Sequence, residues 1–497
     1  MQLPWVRCVT DRDEVRAVRI LWSLLHRCDD HVPESDSWAV SGKAFQPVSS
    51  SIFHDSGKSQ AEAIELMKAT ENDRASHSSV LQTWAKSEQK PSVLFLNRSY
   101  WPDVEATGQL LTELCEELTS SFHVRVLAGQ PNAVRSLHGA QVEAWQSATI
   151  HNGVQIHRAR HWQFSKHRML LKGLNYLSFI HATRRALKTI ERPDVVVFET
   201  DPFLLPFEAA RLQRRTGCRM IGYLQDVYPD VAVALGKVPN NGLIRRLRKS
   251  LFAVYRQCDR MIVLSEDMKR LLISGGIDEK RIHLVPNWSD PESVFPVTET
   301  NLFRQRHGLK DRFVVMYSGN LGLTQRLEEF VTAASLLTDL PQVVFAFVGQ
   351  GSQQSLLQKM VQTQALTNIR FFDYQPKAEL AHSLSAADLH LVPLTKELSQ
   401  CLMPSKLYGI LAAGRPYLTN AVPESELHQI TTQHQVGITV EPGSPAAIAD
   451  AIRAAVANAP LLQLMGQRGR ALAVTEFTRQ KSVEKFKQIL QAALAGT

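Results

Sequence analysis

The sequence predicts an α/β protein of two doubly wound domains facing a common cleft, preceded by a long extension with little core of its own. Three observations carry this reading. From Ser92 onward, short runs rich in valine and isoleucine alternate with longer helical periods. The alternation breaks at a proline-bearing stretch and then resumes. Before Ser92 it is absent. Continuous apolar runs of strand length, separated by helices, mark parallel strands buried on both faces. Such strands build doubly wound sheets. A chain of 497 residues has room for two or three domains of about 100–200 residues each.

Residues 1–90 form the extension. Twelve serines fall between Pro33 and Lys90, with few aliphatic runs. Such a stretch buries too little surface to offset its chain entropy, so it is expected to be mostly disordered. Val15 to Leu25 could form one amphipathic helix. A true start further along, near Met67, would account for the composition equally.

The first domain, 91–285, is expected to hold strands at "VLFL" (Val93–Leu96), "HVRVLA" (His123–Ala128), "DVVVF" (Asp194–Phe198), "RMIGYL" (Arg219–Leu224) and "RMIVLS" (Arg260–Ser265). "LVPNWSDPESVFPV" (Leu284–Val297), with three prolines, reads as the crossing between domains. The second domain, 286–475, repeats the pattern with "FVVMYSG" (Phe313–Gly319), "VVFAFVG" (Val343–Gly349), "IRFF" (Ile369–Phe372), "LHLVPL" (Leu389–Leu394) and "GITV" (Gly437–Val440). A last helix in 476–497 is placed to pack back on the first domain. Ligands of such sheets sit at the carboxyl ends of the strands, so the cleft between the domains is the expected site.

Composition excludes several classes. With 44% hydrophobic and 21% charged residues, the chain is an ordinary globular one. No apolar run reaches the roughly 18 residues of a spanning helix. Acids at Asp11, Asp13 and Glu14 ahead of "AVRILWSLLH" argue against a signal peptide. Six scattered cysteines with no CxxC spacing read as reduced thiols of a cytosolic protein, neither a disulfide framework nor a zinc site.

Four features could carry chemistry. In "YSGNLGLTQRLEEF", a strand runs into a loop (Gly319, Asn320, Leu321, Gly322) and a helix start near Thr324. Strand, glycine loop and helix N-terminus can cradle a phosphate, although an ordinary tight turn has the same outline. "NRSYWPDVEATGQLL" repeats the layout, with Thr107 and Gly108 opening a helix and Gly108 leaving room for a ligand or for packing. Lys406 sits in the first turn of an apolar helix bounded by Pro404 and Gly414. A cation there opposes the helix dipole and is costly to bury, and a phosphate would satisfy both. Snorkelling to solvent, or pairing with Glu397 or Glu424, is the other reading. Asp226, just past a buried strand, could hold or deprotonate a substrate hydroxyl, or simply cap a loop.

Charge adds a fifth feature. The net charge is +8. His151–Ile190 carries eight Lys and Arg and no acid, with Trp162, Phe164, Tyr176 and Phe179 interleaved. Lys237–Cys258, with "LIRRLRKSLFAVYR", is also free of acids. Basic residues beside aromatics suit an anionic membrane surface, and less well nucleic acid; solvated helix faces would look the same. The expectation taken forward is the membrane surface, with no nucleic-acid partner.

"LNRSYWPDVEATGQLL", "QDVYPD", "VPNWSD", "SGNLGL", "MPSKLYGILAAGRP" and "PESE", in that order, resemble the landmarks of glycosyltransferase family 4, in the subgroup that builds bacterial cell-surface polysaccharides of the colanic acid and O-antigen type. The resemblance covers Ser92 to about residue 490. It implies a GT-B fold of two Rossmann-like domains, acceptor side first and donor side second. It implies metal-independent transfer, with retention, from a UDP- or GDP-linked sugar that is substrate rather than cofactor. It further implies a lipid-linked or saccharide acceptor at the cytoplasmic face of the plasma membrane. Carried onto matching positions, it places Gly319, Asn320, Gly322, Gln325, Ser405, Lys406, Gly409 and Glu424 at the donor, and Asp226 with Lys406 at the chemistry. It also shows departures. The family's paired glutamates fall near Cys401 and on Gly409, its diphosphate-holding arginine and lysine on Asn320 and Gln325, and its histidine on Gln225. Lys406 is then the main cation left for the diphosphate. A nucleotide-sugar 2-epimerase of the same fold, or a non-catalytic nucleotide-sugar-binding partner, are the alternatives.

Overall fold

The structure, a computed structural model, describes residues 90–103, 105–131, 149–164, 169–297, 300–322 and 325–496. The expected extension through residue 89, with its Val15–Leu25 helix, Cys8 and Cys28, lies outside the described residues, as does Thr324. The chain divides into two compact units. Of the described residues, one holds Lys90 with Gln163, Phe164 and 169–175, where the buried Asn175 brackets Phe164, accepting from its N–H (2.9 Å) and donating to its carbonyl (3.0 Å). The other, Pro91–Trp162 with Tyr176–Thr497, carries two sheets.

The first sheet has eight strands: β1 (Ser92–Leu96), β2 (His123–Gly129), β3 (Thr149–His151), β4 (Val154–Ala159), β5 (Val195–Phe198), β6 (Arg219–Tyr223), β7 (Arg260–Val263) and β8 (Ile282–Leu284), in the order β3-β4-β2-β1-β5-β6-β7-β8. All pairs are parallel except β3–β4. The second has six parallel strands: β9 (Phe313–Ser318), β10 (Val343–Val348), β11 (Ile369–Phe372), β12 (Leu389–Leu391), β13 (Tyr417–Thr419) and β14 (Gly437–Thr439), in the order β11-β10-β9-β12-β13-β14. Each order runs outward from its first strand and then reverses, between β1 and β5 and between β9 and β12. Those reversals leave a crevice at the carboxyl ends of the strands.

All ten expected strands form. Four were not legible: β3, β4, β8 and β13. β8 and β13 have three residues each. β3 and β4 are an edge hairpin whose turn, Asn152-Gly153, takes left-handed φ of 44° and 82°. Asn-Gly is the commonest signal of such a turn, and only that dipeptide could have revealed it.

The last helix, Arg479–Ala495, lies on the first sheet. Its buried Phe486 sits between Phe95 (6.1 Å between centroids) and Tyr223 (5.2 Å), and its Ser482 hydroxyl donates to Pro286 O (2.9 Å). The crossing segment is tied down as well. Trp288 donates to Glu113 (2.9 Å), and Lys377 of the second lobe pairs with the same carboxylate (3.0 Å). Among the described residues, no helix is long and apolar enough to cross a membrane, and Cys115, Cys218, Cys258 and Cys401 are buried free thiols.

Candidate active site

In the first lobe, the carboxyl ends of β1, β5 and β6 supply the loop after Asn97, the segment Glu199–Asp201, and Gln225 with Asp226. Arg98 reaches across the reversal to Asp201 (2.8 Å). The Asp226 N–H donates to Thr200 Oγ1 (3.4 Å). Burial, and then the charge of Asp201, push the Asp226 carboxyl up to about 6. Asp226 pairs across the cleft with Leu402 in an isolated antiparallel bridge, and Val227 N–H donates to Cys401 O (2.9 Å). The two lobes therefore meet at Asp226. A pocket of about 80 Å³ lies there, lined by Ala106, Thr107 and Leu110 on one side, Gln225, Asp226 and Asn287 on another, and Met403 and Ser405 from the second lobe. So Thr107, Asp226 and Ser405, far apart in sequence, line one pocket. Gly108 does not line it. Gly108 is buried, and a Cβ there would come within 3.0 Å of Ser99 Oγ. Its missing side chain makes room for the loop after β1, which is the packing alternative raised for it.

Lys406 stands at the other reversal. Its helix, Lys406–Ala412, buries Leu407, Tyr408, Ile410, Leu411 and Ala412. Arg470 caps the far end, donating to Ala412 O (2.7 Å) and to Val294 O of the crossing segment (2.9 Å). Lys406 lies at the opposite end, against the dipole. Its stem is partly exposed, but its Nζ is buried, has no hydrogen-bond partner, and lies 3.6 Å from the centre of the Tyr317 ring. Neither Glu397 nor Glu424 pairs with it. Burial alone drives the ammonium well below its ordinary range, with no carboxylate opposing that shift. A desolvated cation–π contact returns about 2 kcal/mol. An unpaired buried ion costs several kcal/mol even after relaxation, so the ring cannot replace a counter-ion. His390 on β12 is close enough for the charge of Lys406 to oppose its protonation. Its imidazole is pushed down to about 4, chiefly by burial.

The Gly319–Gly322 loop passes beside this amine. A Cβ on Gly319 would lie 3.7 Å from Lys406 Nζ, and Gly319 holds φ of 136°, where only glycine is at ease. The backbone N–H groups expected to face a phosphate are engaged instead. Gly319 donates to Val348 O (2.9 Å) and Leu321 to Gln350 O (3.0 Å). Gly322 donates to Asn320 O (2.9 Å) and to Gln325 Oε1 (3.2 Å). Asn320 is exposed and its carbonyl also accepts from Tyr317 OH (2.8 Å). The loop thus contributes closeness of approach more than free donors. Gly409, where a glutamate would stand in the wider family, has Leu384 Cδ1 3.4 Å from a built Cβ. Glu424 is exposed, and what is engaged is its carbonyl, by Arg270 (3.1 Å).

The acid of "PESE" that turns inward is Glu426. Its carboxylate accepts from the Glu266 N–H at the start of the Glu266–Ser274 helix, and Asp267 accepts from the Glu426 N–H (2.8 Å). Each helix is capped by an acid of the other lobe. Burial, with Asp267 and Glu266 close by, pushes Glu426 up to about 7. Ser425, which accepts from His428 N–H, marks the helix start that turns Glu426 inward. Glu199 also escaped the sequence reading. It is fully buried at the first reversal with Gln225 beside it, and burial, then the charge of Asp201, raises its carboxyl well above the usual range. Among the described residues, no group of three or more His, Cys, Asp or Glu is placed to share a metal ion.

Comparison with known proteins agrees with this geometry. A family profile described as Glycosyltransferase Family 4 matches residues 107–293, and one described as glycosyl transferases group 1 matches residues 299–472. The chain is 28% identical over 338 residues to WbjE of Pseudomonas aeruginosa, named a glycosyltransferase, spanning 67% of this chain and 83% of that one. It is 27% identical over 375 residues to WcaI of Escherichia coli, named a colanic acid biosynthesis glycosyl transferase, spanning 73% and 92%. In fold it resembles sucrose-phosphate synthase from Thermosynechococcus elongatus (TM-score 0.66, 16% identity, 82% of this chain and 100% of that one). It also resembles Anabaena HepE, whose structure holds UDP and glucose (TM-score 0.63, 14% identity, 82% and 100%). Profiles matched in turn over the two lobes, and two parallel sheets of reversed order meeting at one cleft, place the chain in glycosyltransferase family 4, with the GT-B fold.

Proposed function

We propose that this glycosyltransferase moves a sugar, with retention and without a metal, from a nucleoside diphosphate sugar to a lipid-linked saccharide. Its setting is the assembly of a cell-surface polysaccharide at the inner face of the plasma membrane. The observation that carries the donor class is Lys406: a buried amine without a counter-ion, at a sheet reversal, beside a glycine that keeps the approach open. A diphosphate supplies the missing charge. As the sugar–oxygen bond breaks, the departing diphosphate gains negative charge, and a cation placed for that charge lowers the barrier. Asp226, at the seam of the lobes, orients the acceptor hydroxyl or takes its proton. No pair of carboxylates is assigned to attack the sugar from the protein side, so the route differs from the paired-carboxylate retaining glycosidases. The polysaccharide setting rests on the named role of WcaI, and UDP as one donor base on the HepE structure.

A thermal-shift panel tests the donor class. UDP, GDP and their sugars should raise the melting temperature, by about 2.7 kcal/mol of stabilisation at a hundredfold excess over Kd. Uridine and guanosine should not. Lys406→Met should keep or slightly raise the melting temperature, since a buried polar amine without a partner leaves the helix start and the apolar stem is retained. It should slow transfer about a hundredfold if about 3 kcal/mol of transition-state stabilisation is lost. Full turnover in that variant, or equal shifts from nucleosides and diphosphates, would end the proposal. Activity that survives EDTA, and nucleoside diphosphate released only when acceptor is present, separate metal-free transfer from epimerisation.

A further inference from the structure

Lys406 has an unusual surrounding for a phosphate-binding lysine, because the groups that face it are all neutral or cationic. From β9 comes the ring of Tyr317, whose hydroxyl donates to Asn320 O (2.8 Å). From β12 comes His390, whose Nε2 meets Leu384 O (2.9 Å). Beyond His390, in the turn after the Lys406 helix, is Arg415, whose charge, like that of Lys406, opposes ionisation of His390. The acid near Arg415 is Asp388, and Asp388 is held by Arg304 (2.5 Å). The Gly319 backbone closes the remaining side. A buried amine in such company loses less by shedding its proton than by keeping it.

We propose that donor binding is coupled to proton uptake: Lys406 is a neutral amine in the free enzyme and becomes an ammonium when the diphosphate arrives. The proton comes from solvent and lands on the Nζ lone pair; the hydrogen bonds it then makes run to phosphate oxygens. On release of the nucleoside diphosphate the amine gives the proton back. This rests on the reading of the site as a diphosphate site, and deepens it. Linkage sets the sign. A group whose pKa rises on binding takes up protons, so affinity weakens as pH rises between the free and bound values, by up to about tenfold per pH unit. The free enzyme also carries one less buried charge, which spares the fold an unpaired ion.

The test is calorimetric titration with UDP and with GDP in buffers of different ionisation enthalpy. It is run at about pH 8, where the terminal phosphate, with a second pKa near 6, is already ionised and takes no part. Uptake of about one proton per bound diphosphate is expected in the wild type, and a Kd that rises with pH. Lys406→Met should bind more weakly with no uptake. Lys406→Arg, whose guanidinium keeps its proton at any working pH, should bind with no uptake and a flat pH dependence. Melting curves of both variants show whether they are folded. Wild-type binding without uptake would overturn the coupling and leave the diphosphate site standing. Uptake unchanged in both variants would assign the proton to another group and overturn it as well. Failure of both nucleotides to bind the folded wild type would remove the diphosphate reading and this inference together.

Discussion

Asp226 is a carboxylate tuned by two effects of different kinds. Burial disfavours its charge, and the charge of Asp201 adds to the effect. With its carboxyl at about 6, it is largely ionised at neutral pH and protonated below it. A base works only when ionised, so transfer should rise with pH across that value. Asp226→Asn should bind donor as before and lose most transfer, because shape stays and charge goes. Asp201→Asn should move the acid limb to lower pH, since the raising charge is gone. Asp201 is held by Arg98 (2.8 Å), so the variant's melting curve must accompany its rate profile. An acid limb that stays in place in folded Asp201→Asn would break the assignment.

At the scale of elements, the seam between the lobes depends on helix starts. The N-terminal N–H groups of a helix have no partner within it. Here the Glu266–Ser274 and Glu426–Gln433 helices lend each other acids, Glu426 for one and Asp267 for the other. The arrangement has a pH signature. Glu426 is raised to about 7 in the fold against an ordinary 4.5. Between those values the folded state binds more protons than the unfolded, so stability falls as pH rises through that window. Glu426→Gln keeps an acceptor for the Glu266 N–H and cannot ionise. Its stability should lose part of that slope, and melting temperatures from pH 4.5 to 8 in both proteins measure the difference. Superimposable slopes would place the titration elsewhere.

Over the whole molecule, the acid-free runs divide into two uses. Some of their cations are structural: Arg184 holds the buried Glu208 (2.8 Å), and Arg248 holds Asp230 (2.8 Å). Others are left outward. On the Gly242–Tyr255 helix, Arg245, Arg246 and Lys249 are exposed near Leu243, and Trp162 is 56% exposed elsewhere. An outward basic helix with an apolar residue at its start suits an anionic surface. The protein should therefore bind vesicles containing phosphatidylglycerol at low salt and leave them at 1 M, where screening shortens to about 3 Å. Reversing Arg245, Arg246 and Lys249 to glutamate should weaken attachment without changing melting. Binding indifferent to salt, lipid charge and the triple reversal would rule the surface out.

Ten strands, the break between the sheets and the oddness of Lys406 could be read along the chain, because each is local. A run such as "VVFAFV" is apolar on both faces whatever lies beside it, and a lysine in an apolar first turn is misplaced before any partner is known. What remained illegible depends on neighbours distant in sequence. The acids that spend Arg184 and Arg248 lie 24 and 18 residues away. The Gly319 loop looked like free donors until Val348, at the end of β10, and Gln350, just beyond it, took them. Glu424 and Glu426 differ by two positions, and only the entry of the helix decided which one turns into the seam. Lys406 shows both parts at once. Its sequence context made the charge suspect, and the packing of Tyr317, His390 and Gly319 around its Nζ left that charge without a partner, because hydrogen bonds and ion pairs are satisfied in three dimensions.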